Sequence, residues 1–332
     1  MSSLQSPPLS IAPMMERTDR HYRLMMRQIT KRTLLYTEMV VSSAVLRGDR
    51  EHLLGFDRRE GPLALQLGGD DPAELAECAR IAEGMGYDEV NLNVGCPSDR
   101  VQAGRFGCAL MARPERVAEA VAAMRGACGL PVTVKHRIGF DEVDRYEDML
   151  AFVDRVAPAG CARFTVHARK AWLSGLSPKE NREIPPLRYD DVRRLKAERP
   201  GLQVELNGGV RDLDQAGALM PAVDAVMIGR AAWDQPMLFA EADSRFFGAP
   251  DPLPSIAAIA DFMQGWAQDW IARRPGNRLA PIIRPMLNLP AGLPGARRWR
   301  SALTRLGHGQ AARPDAIAAA LAALSSAENR AE

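Results

Sequence analysis

The chain has 332 residues, 46% of them hydrophobic and 25% charged, with a net charge of +2. That is an ordinary globular balance, long enough for one large domain plus a small one. No apolar run is long enough to cross a bilayer. The Ser/Pro-rich start, Met1–Leu9, has neither the basic nor the apolar region of a signal peptide, so a soluble chain is expected.

In chain order, strand-length apolar runs recur at Ser10–Met14, Leu34–Met39, Leu63–Leu67, Glu89–Val94, Val132–His136, Arg163–His167, Val204–Asn207 and Ala225–Ile228. They read as near-continuously apolar, as expected of strands buried on both faces. Amphipathic segments lie between them. Asp71-Pro72 supplies an N-cap and a first-turn proline for a helix running to about Gly84 or Gly86. Arg113–Cys128, Asp144–Ala157, Asp190–Arg199 and Leu213–Met220 read likewise. Eight β-then-α units predict an α/β fold of the (β/α)8 TIM-barrel class. A doubly wound sheet is the alternative. It does not need eight regular units, and no GxGxxG follows the first strand.

The Gly/Pro-rich stretch Phe247–Pro254 predicts a boundary, with the barrel over residues 1–247 and a small helical domain over 251–332. In the latter, Ser255–Ala272, Ala296–Leu306 and Pro314–Ser325 have helical patterns. Pro281, Pro285, Pro290 and Pro294 interrupt the chain between the first two. From Ile271 to Pro314 there are nine arginines and no acidic residue. A solvated charged face and a polyanion-binding surface are both open readings of that span.

The five cysteines (Cys78, Cys96, Cys108, Cys128, Cys161) are odd in number and scattered, without CxxC or HxxxH spacing. Free thiols in a reducing cytoplasm are expected; a disulfide framework and a metal site are not.

In a TIM barrel the chemistry sits at the carboxyl ends of the strands. Those ends carry Pro13-Met14-Met15-Glu16, Glu38, Gln66, Asn91 and Asn93 before Gly95-Cys96-Pro97, then Lys135-His136-Arg137, His167 with Arg169-Lys170, Asn207-Gly208-Gly209 and Gly229-Arg230. The last two are glycine turns after strands seven and eight, each leading into a helix. Backbone N–H groups there can approach a phosphate closely; a plain tight turn is the bland reading. Lys135 and His167 have two readings: a Schiff-base lysine, or two donors to an electron-rich ring such as a reduced flavin. Cys96 is either a small core residue or, from its place in a rim loop, an acid, base or nucleophile.

Asn91-Leu-Asn-Val-Gly-Cys-Pro-Ser-Asp99 closely resembles the signature loop of tRNA-dihydrouridine synthases. The resemblance continues in Ala12-Pro-Met-Met15, Leu65-Gln-Leu-Gly-Gly69, Val132-Thr-Val-Lys135, Val166-His-Ala-Arg169, Leu206-Asn-Gly-Gly209 and Ile228-Gly-Arg230. Ala168–Pro186 and Pro294-Gly-Ala-Arg-Arg-Trp-Arg300 are similar to the A subfamily, which reduces the D-loop uridines numbered 20 and 20a.

The resemblance implies FMN at the rim, contacted by Pro13, Met14, Met15 and Gln66. Lys135 and His167 bond its ring or ribityl chain, and Asn207, Gly208, Gly209, Gly229 and Arg230 take its phosphate. NADPH (or NADH) is the implied hydride donor. The uracil is flipped into the pocket, Cys96 protonates its C5, and Asn93 holds the uracil or its ribose. Lys179, Arg182, Arg297 and Arg300 match residues that grip tRNA. A monomer in the cytoplasm is expected. His136 and the acidic stretch Asp141–Asp148 receive no role.

Two other classes stay open. One is an FMN barrel reducing a small molecule, such as a dihydroorotate dehydrogenase, which would not need an extended basic surface. The other is a non-catalytic RNA-binding barrel, which would not need the full set Cys96, Lys135, His167 and Arg230.

Overall fold

The computed structural model describes residues 7–98, 101, 104–307, 313 and 315–328. Asp99, the last residue of the signature stretch, lies outside them, as do Pro314 and the first six residues of the Ser/Pro-rich start. The chain forms two compact units. One comprises Met1–Glu16 and Thr33–Gly229, the other Arg17–Arg32 and Arg230–Glu332.

The first unit contains the strands β1 (Leu9–Ile11), β2 (Leu35–Tyr36), β3 (Val40–Val41), β4 (Leu63–Gly68), β5 (Glu89–Val94), β6 (Val132–Arg137), β7 (Phe164–His167), β8 (Val204–Asn207) and β9 (Ala225–Ile228). All pairings are parallel, in the order β1-β9-β8-β7-β6-β5-β4-β2, with β3 also on β4. A bridge between Ser10 and Leu34 brings the two ends of the sheet together. The Ile11 N–H donates to the Leu34 carbonyl at 2.9 Å, and the Leu34 N–H to the Leu9 carbonyl at 3.2 Å. The architecture is the expected (β/α)8 barrel, and each of the eight expected runs carries a strand.

The second run, Leu34–Met39, holds only β2, and β3 lies just past its expected end. Tyr36 faces Ala64 while Val40 faces Leu67, so this side holds one residue more than its partner, a β-bulge. The Thr37 hydroxyl fills the break by accepting from the Gln66 N–H at 3.1 Å and donating to the Glu38 carbonyl at 2.7 Å.

The reading of the strands as continuously apolar is corrected by their faces. Side chains alternate along a strand. Glu89, Asn91 and Asn93 on β5, Thr133 and Lys135 on β6, Arg163 just before β7 and Thr165 on it, and Glu205 and Asn207 on β8 point inward. Ser10 on β1 bonds Glu205 on β8 at 2.6 Å, and Arg163, at the start of β7, bonds Glu89 on β5 at 2.7 Å. Those strands are not neighbours in the sheet, so their side chains meet across the barrel interior. The outward residues, among them Val90, Leu92, Val132, Val134, Phe164, Val166, Val204 and Leu206, are fully buried and apolar. Each contributes about 1.5–3 kcal/mol by leaving water. On the β1, β2, β4 and β9 side the interior turns apolar, with Ala12, Leu34, Tyr36, Ala64 and Met227 clustered.

The expected barrel helices form at Pro72–Met85, Pro114–Ala127, Tyr146–Val156, Tyr189–Glu198 and Leu213–Leu219. Asp71 caps the first through the N–H groups of Ala73 and Glu74.

The second unit holds the helices Arg20–Ile29, Arg230–Asp234, Ala242–Phe247, Ile256–Arg273, Ala280–Met286, Ala296–Leu306 and Asp315–Glu328. It reaches beyond the expected 251–332, taking in Arg17–Arg32 after β1 and residues 230–250. Tyr22 donates to the Ala232 carbonyl at 3.0 Å, Trp266 to His21 at 3.0 Å, and Thr30 to Asp243 at 2.5 Å. The prolines interrupt less than expected. Pro281 sits in the first turn of Ala280–Met286, where its missing N–H has no helical partner to lose, and Pro285 is accommodated near the end. Among the described residues no helix is long and apolar enough to cross a membrane.

Candidate active site

Cys96 follows β5 and is half-buried, its Sγ 3.5 Å from the Ser98 hydroxyl. The Asn93 Oδ1 atom accepts from the backbone N–H of Gly95 at 3.1 Å and of Cys96 at 3.0 Å, which turns the loop tightly off the strand. The Cys96 carbonyl in turn accepts from the Cys108 N–H at 2.9 Å. The other thiols sit in different surroundings. Burial pushes Cys78, Cys108 and Cys161 up to about 12 and raises Cys128.

Asn93 pairs in register with Lys135 on β6. Lys135 donates to the Asn207 Oδ1 atom of β8 at 3.2 Å, and the Asn207 Nδ2 group donates to the Met227 carbonyl at 2.9 Å. Burial, then Arg137, pulls the Lys135 ammonium down to about 8. His167 is held well below its ordinary value by burial and by Arg137, Lys135, Arg169 and Arg182. At neutral pH it is an uncharged hydrogen-bonding group.

Gly208 and Gly209 have φ of 116° and 72°. A Cβ at Gly208 would lie 2.8 Å from the His167 ring, and one at Gly209 would lie 2.5 Å from Leu187. The left-handed backbone at both positions, with the His167 ring close at Gly208, favours glycine here, besides any role toward a ligand. Gly229 ends the β9 turn in the barrel unit. Arg230, the next residue, begins the helix Arg230–Asp234 of the second unit. After β1, Pro13 and Met14 are half-buried and Met15 is 55% exposed.

Lys179 and Arg182 are exposed on the loop beyond β7. Buried Asn181 fixes that loop by accepting from the Trp172 N–H at 2.7 Å and donating to the carbonyls of Trp172 at 2.9 Å and Leu176 at 3.2 Å. The acidic stretch left without a role steadies the same region. Asp144 pairs with Lys170 at 3.2 Å and Arg188 at 3.4 Å, and Asp141 accepts from the Leu173 N–H at 2.8 Å.

Sequence reasoning places Arg137 at a strand end but gives it no role. Its guanidinium donates to the carbonyls of Gly95 at 2.9 Å, Lys170 at 2.9 Å and Asn181 at 3.0 Å, joining the Cys96 loop to the Lys179–Arg182 loop. An arginine two residues after inward-facing Lys135 on one strand was the available signal. His136 between them points the other way, against Phe152 and Phe164, and burial lowers it to about 4.

In the second unit, Arg297 and Arg300 are exposed on the helix Ala296–Leu306, whose Trp299, Ala302 and Leu303 are buried. Neither arginine forms an ion pair with a described carboxylate.

A family model described as Dihydrouridine synthase (Dus) matches residues 10–327. A Synechocystis sp. protein called tRNA-dihydrouridine(20/20a) synthase is 56% identical over 297 residues, covering 90% of this chain and 88% of the relative. A Vibrio cholerae protein of the same name is 48% identical over 315 residues, covering 95% of each. Among solved structures, Morphinone reductase matches with a TM-score of 0.51 at 14% identity, over 76% of this chain and 88% of that one, a likeness of fold.

Proposed function

The chain belongs to the dihydrouridine synthase family, and from that premise we propose how its barrel does the work. It is a tRNA-dihydrouridine synthase, an oxidoreductase that reduces uridine in tRNA to 5,6-dihydrouridine. Its targets are uridines 20 and 20a, the positions in its relatives' names. It acts as a monomer in the cytoplasm, a setting that suits its free cysteines.

The rim fits FMN. Gln66, Lys135 and neutral His167 offer hydrogen-bond donors to an electron-rich ring, and the protonated lysine adds positive charge beside it. Pro13, Met14 and Met15, in the turn after β1, would contact it. The turns Asn207-Gly208-Gly209 and Gly229 would receive the phosphate, with Arg230 assigned to it from its place next in the chain. FMN, once bound and reduced by NADPH, supplies the hydride for C6 of the uracil.

The protein residues do the rest. Lys179 and Arg182 on the barrel and Arg297 and Arg300 on the helical unit hold the tRNA. The target base is flipped out, because its reacting carbons are otherwise hidden in the folded RNA. Asn93 holds the uracil or its ribose. Cys96 donates a proton to C5 as negative charge develops there, a step suited to a thiol.

The observation that carries this reading is Cys96 itself. It is a half-buried thiol at the carboxyl end of a barrel strand, its backbone N–H held by Asn93, which stands in register with Lys135 of the adjoining strand. The test is single-turnover reoxidation of pre-reduced enzyme by unmodified tRNA. Cys96→Ala keeps its flavin and is reduced by NADPH at the wild-type rate, while reoxidation by tRNA slows by roughly two to four orders of magnitude. Cys128→Ala keeps both half-reactions. A Cys96→Ala enzyme reoxidised as fast as wild type would end the assignment.

A further inference from the structure

A directed chain of hydrogen bonds runs inside the barrel from a buried ion pair to the backbone of Cys96. Arg163 holds both oxygens of the Glu89 carboxylate at 2.7 Å. The Thr133 hydroxyl donates to Glu89 at 2.6 Å and accepts from the Asn91 Nδ2 group at 2.8 Å. The Asn91 Oδ1 atom accepts from the Gln66 Nε2 group at 2.8 Å, and the Gln66 Oε1 atom accepts from the Asn93 Nδ2 group at 2.8 Å. The Asn93 Oδ1 atom then takes the N–H groups of Gly95 and Cys96. Every side chain in the series is buried.

The direction of the chain follows from its charged end. An ionised carboxylate can only accept, so Thr133 must donate to it, and its oxygen is then free to accept from Asn91. Each later amide inherits its orientation from the one before, because a reversed member would set two N–H groups or two carbonyls face to face in a dry interior. At the far end this presents an oxygen, not a nitrogen, to the two N–H groups of the Cys96 loop. Reversal of Asn93 would set its amide hydrogens against those N–H groups and release the loop.

We propose that Glu89, Thr133 and Asn91 are positioning residues for the reaction, forming a relay that sets the amide orientation of Gln66 and Asn93 and thereby holds the Cys96 backbone. The proposal rests on the reading of Cys96 as proton donor. It extends the working site from the rim down to the floor of the barrel. None of the three residues needs to touch the base or the flavin.

The test compares Thr133→Val, which keeps the shape and removes the hydroxyl, with Thr133→Ser, which keeps the hydroxyl. Two quantities are read on the flavin-loaded enzyme: the rate at which iodoacetamide labels Cys96, followed by peptide mass, and single-turnover reoxidation by unmodified tRNA. In Thr133→Val the loop loosens, labelling of Cys96 accelerates several-fold, and reoxidation falls on the order of ten- to a hundredfold, the usual effect of a small misplacement. Thr133→Ser tracks wild type in both. Asn91→Leu cuts the next link, reproduces the valine variant, and decides the matter if that variant does not fold.

Folded valine or leucine variants with wild-type labelling overturn the relay, as does a serine variant as impaired as valine. Failure of both disrupting variants to fold beside a normal serine variant also overturns it, since the chain would then serve folding alone. Absence of tRNA-dependent reoxidation in wild type would sink the proposed function instead, while the labelling contrast would still decide the relay.

Discussion

The outer helices of the barrel and the helix Ala296–Leu306 of the second unit treat positive charge in opposite ways. On the outside of the barrel, arginines stand beside carboxylates: Arg199 with Asp154 at 2.6 Å, Arg194 with Glu198 at 2.7 Å, Arg145 with Asp148 at 2.8 Å, Arg116 with Glu119 at 3.0 Å. Inside it, Arg163 lies between Glu89 and Glu205, at 2.7 and 3.4 Å. On the helix Ala296–Leu306 of the second unit, Arg297, Arg298, Arg300 and Arg305 are exposed, and none is paired with a described carboxylate. A cation beside a carboxylate has most of its field cancelled within a few ångströms. Four unpaired cations on three turns of helix repel one another and project a field outward. The paired arginines on the outside of the barrel are therefore tied to its own structure, whereas the helix Ala296–Leu306 keeps its charge available to a polyanion, which under the proposed function is the tRNA backbone.

That contrast can be broken at three levels. The largest effect is expected at Arg163. Arg163→Met leaves two carboxylates buried in the barrel without their cation and should lower stability by about 3–5 kcal/mol, read as a shift in the urea midpoint. An unchanged midpoint would mean that the interior pairing is dispensable. A middle effect is expected at Arg297→Ala and Arg300→Ala. Each should weaken tRNA binding and reduce the log–log salt slope by about 0.9 where it faces duplex-like RNA, less for a single strand. Flavin content and NADPH-driven reduction stay as in wild type. If tRNA binding is unaltered across several salt concentrations, the unpaired arginines are a solvated face and the contrast means nothing for function. The smallest effect is expected at Arg199→Ala. Its exposed bidentate pair with Asp154 should be worth no more than about 1 kcal/mol in stability, and tRNA binding should not change. A loss of tRNA affinity there would show that pairing does not silence an arginine.

The rim residues were legible because they occur at the ends of recognisable strands. Asn93, Cys96, Lys135 and His167 follow or close apolar stretches, and position in a barrel then says where they face. The interior was less legible. Glu89, Asn91 and Asn93 alternate plainly with Val90, Leu92 and Val94, yet the run was read by its apolar half. The period-two signal for a polar barrel interior was present and went unused. Arg137 was named but not understood, since its three partners are backbone carbonyls on segments far apart in sequence. No pattern of residue types encodes a carbonyl's position.

The sequence by itself determined the barrel, its strands to within a residue or two at most ends, the family and the place of Cys96. These follow from periodicity, caps and motifs, which are local properties of the chain. Tertiary structure alone decided that the helix Arg20–Ile29 belongs with residues 230–332, through Tyr22, His21 and Thr30. It also decided that Glu89 reaches Cys96 through Thr133, Asn91, Gln66 and Asn93. Both facts depend on contacts between residues distant in the chain. Such contacts exist only once the sheet has closed and buried polar groups have been forced to find their partners.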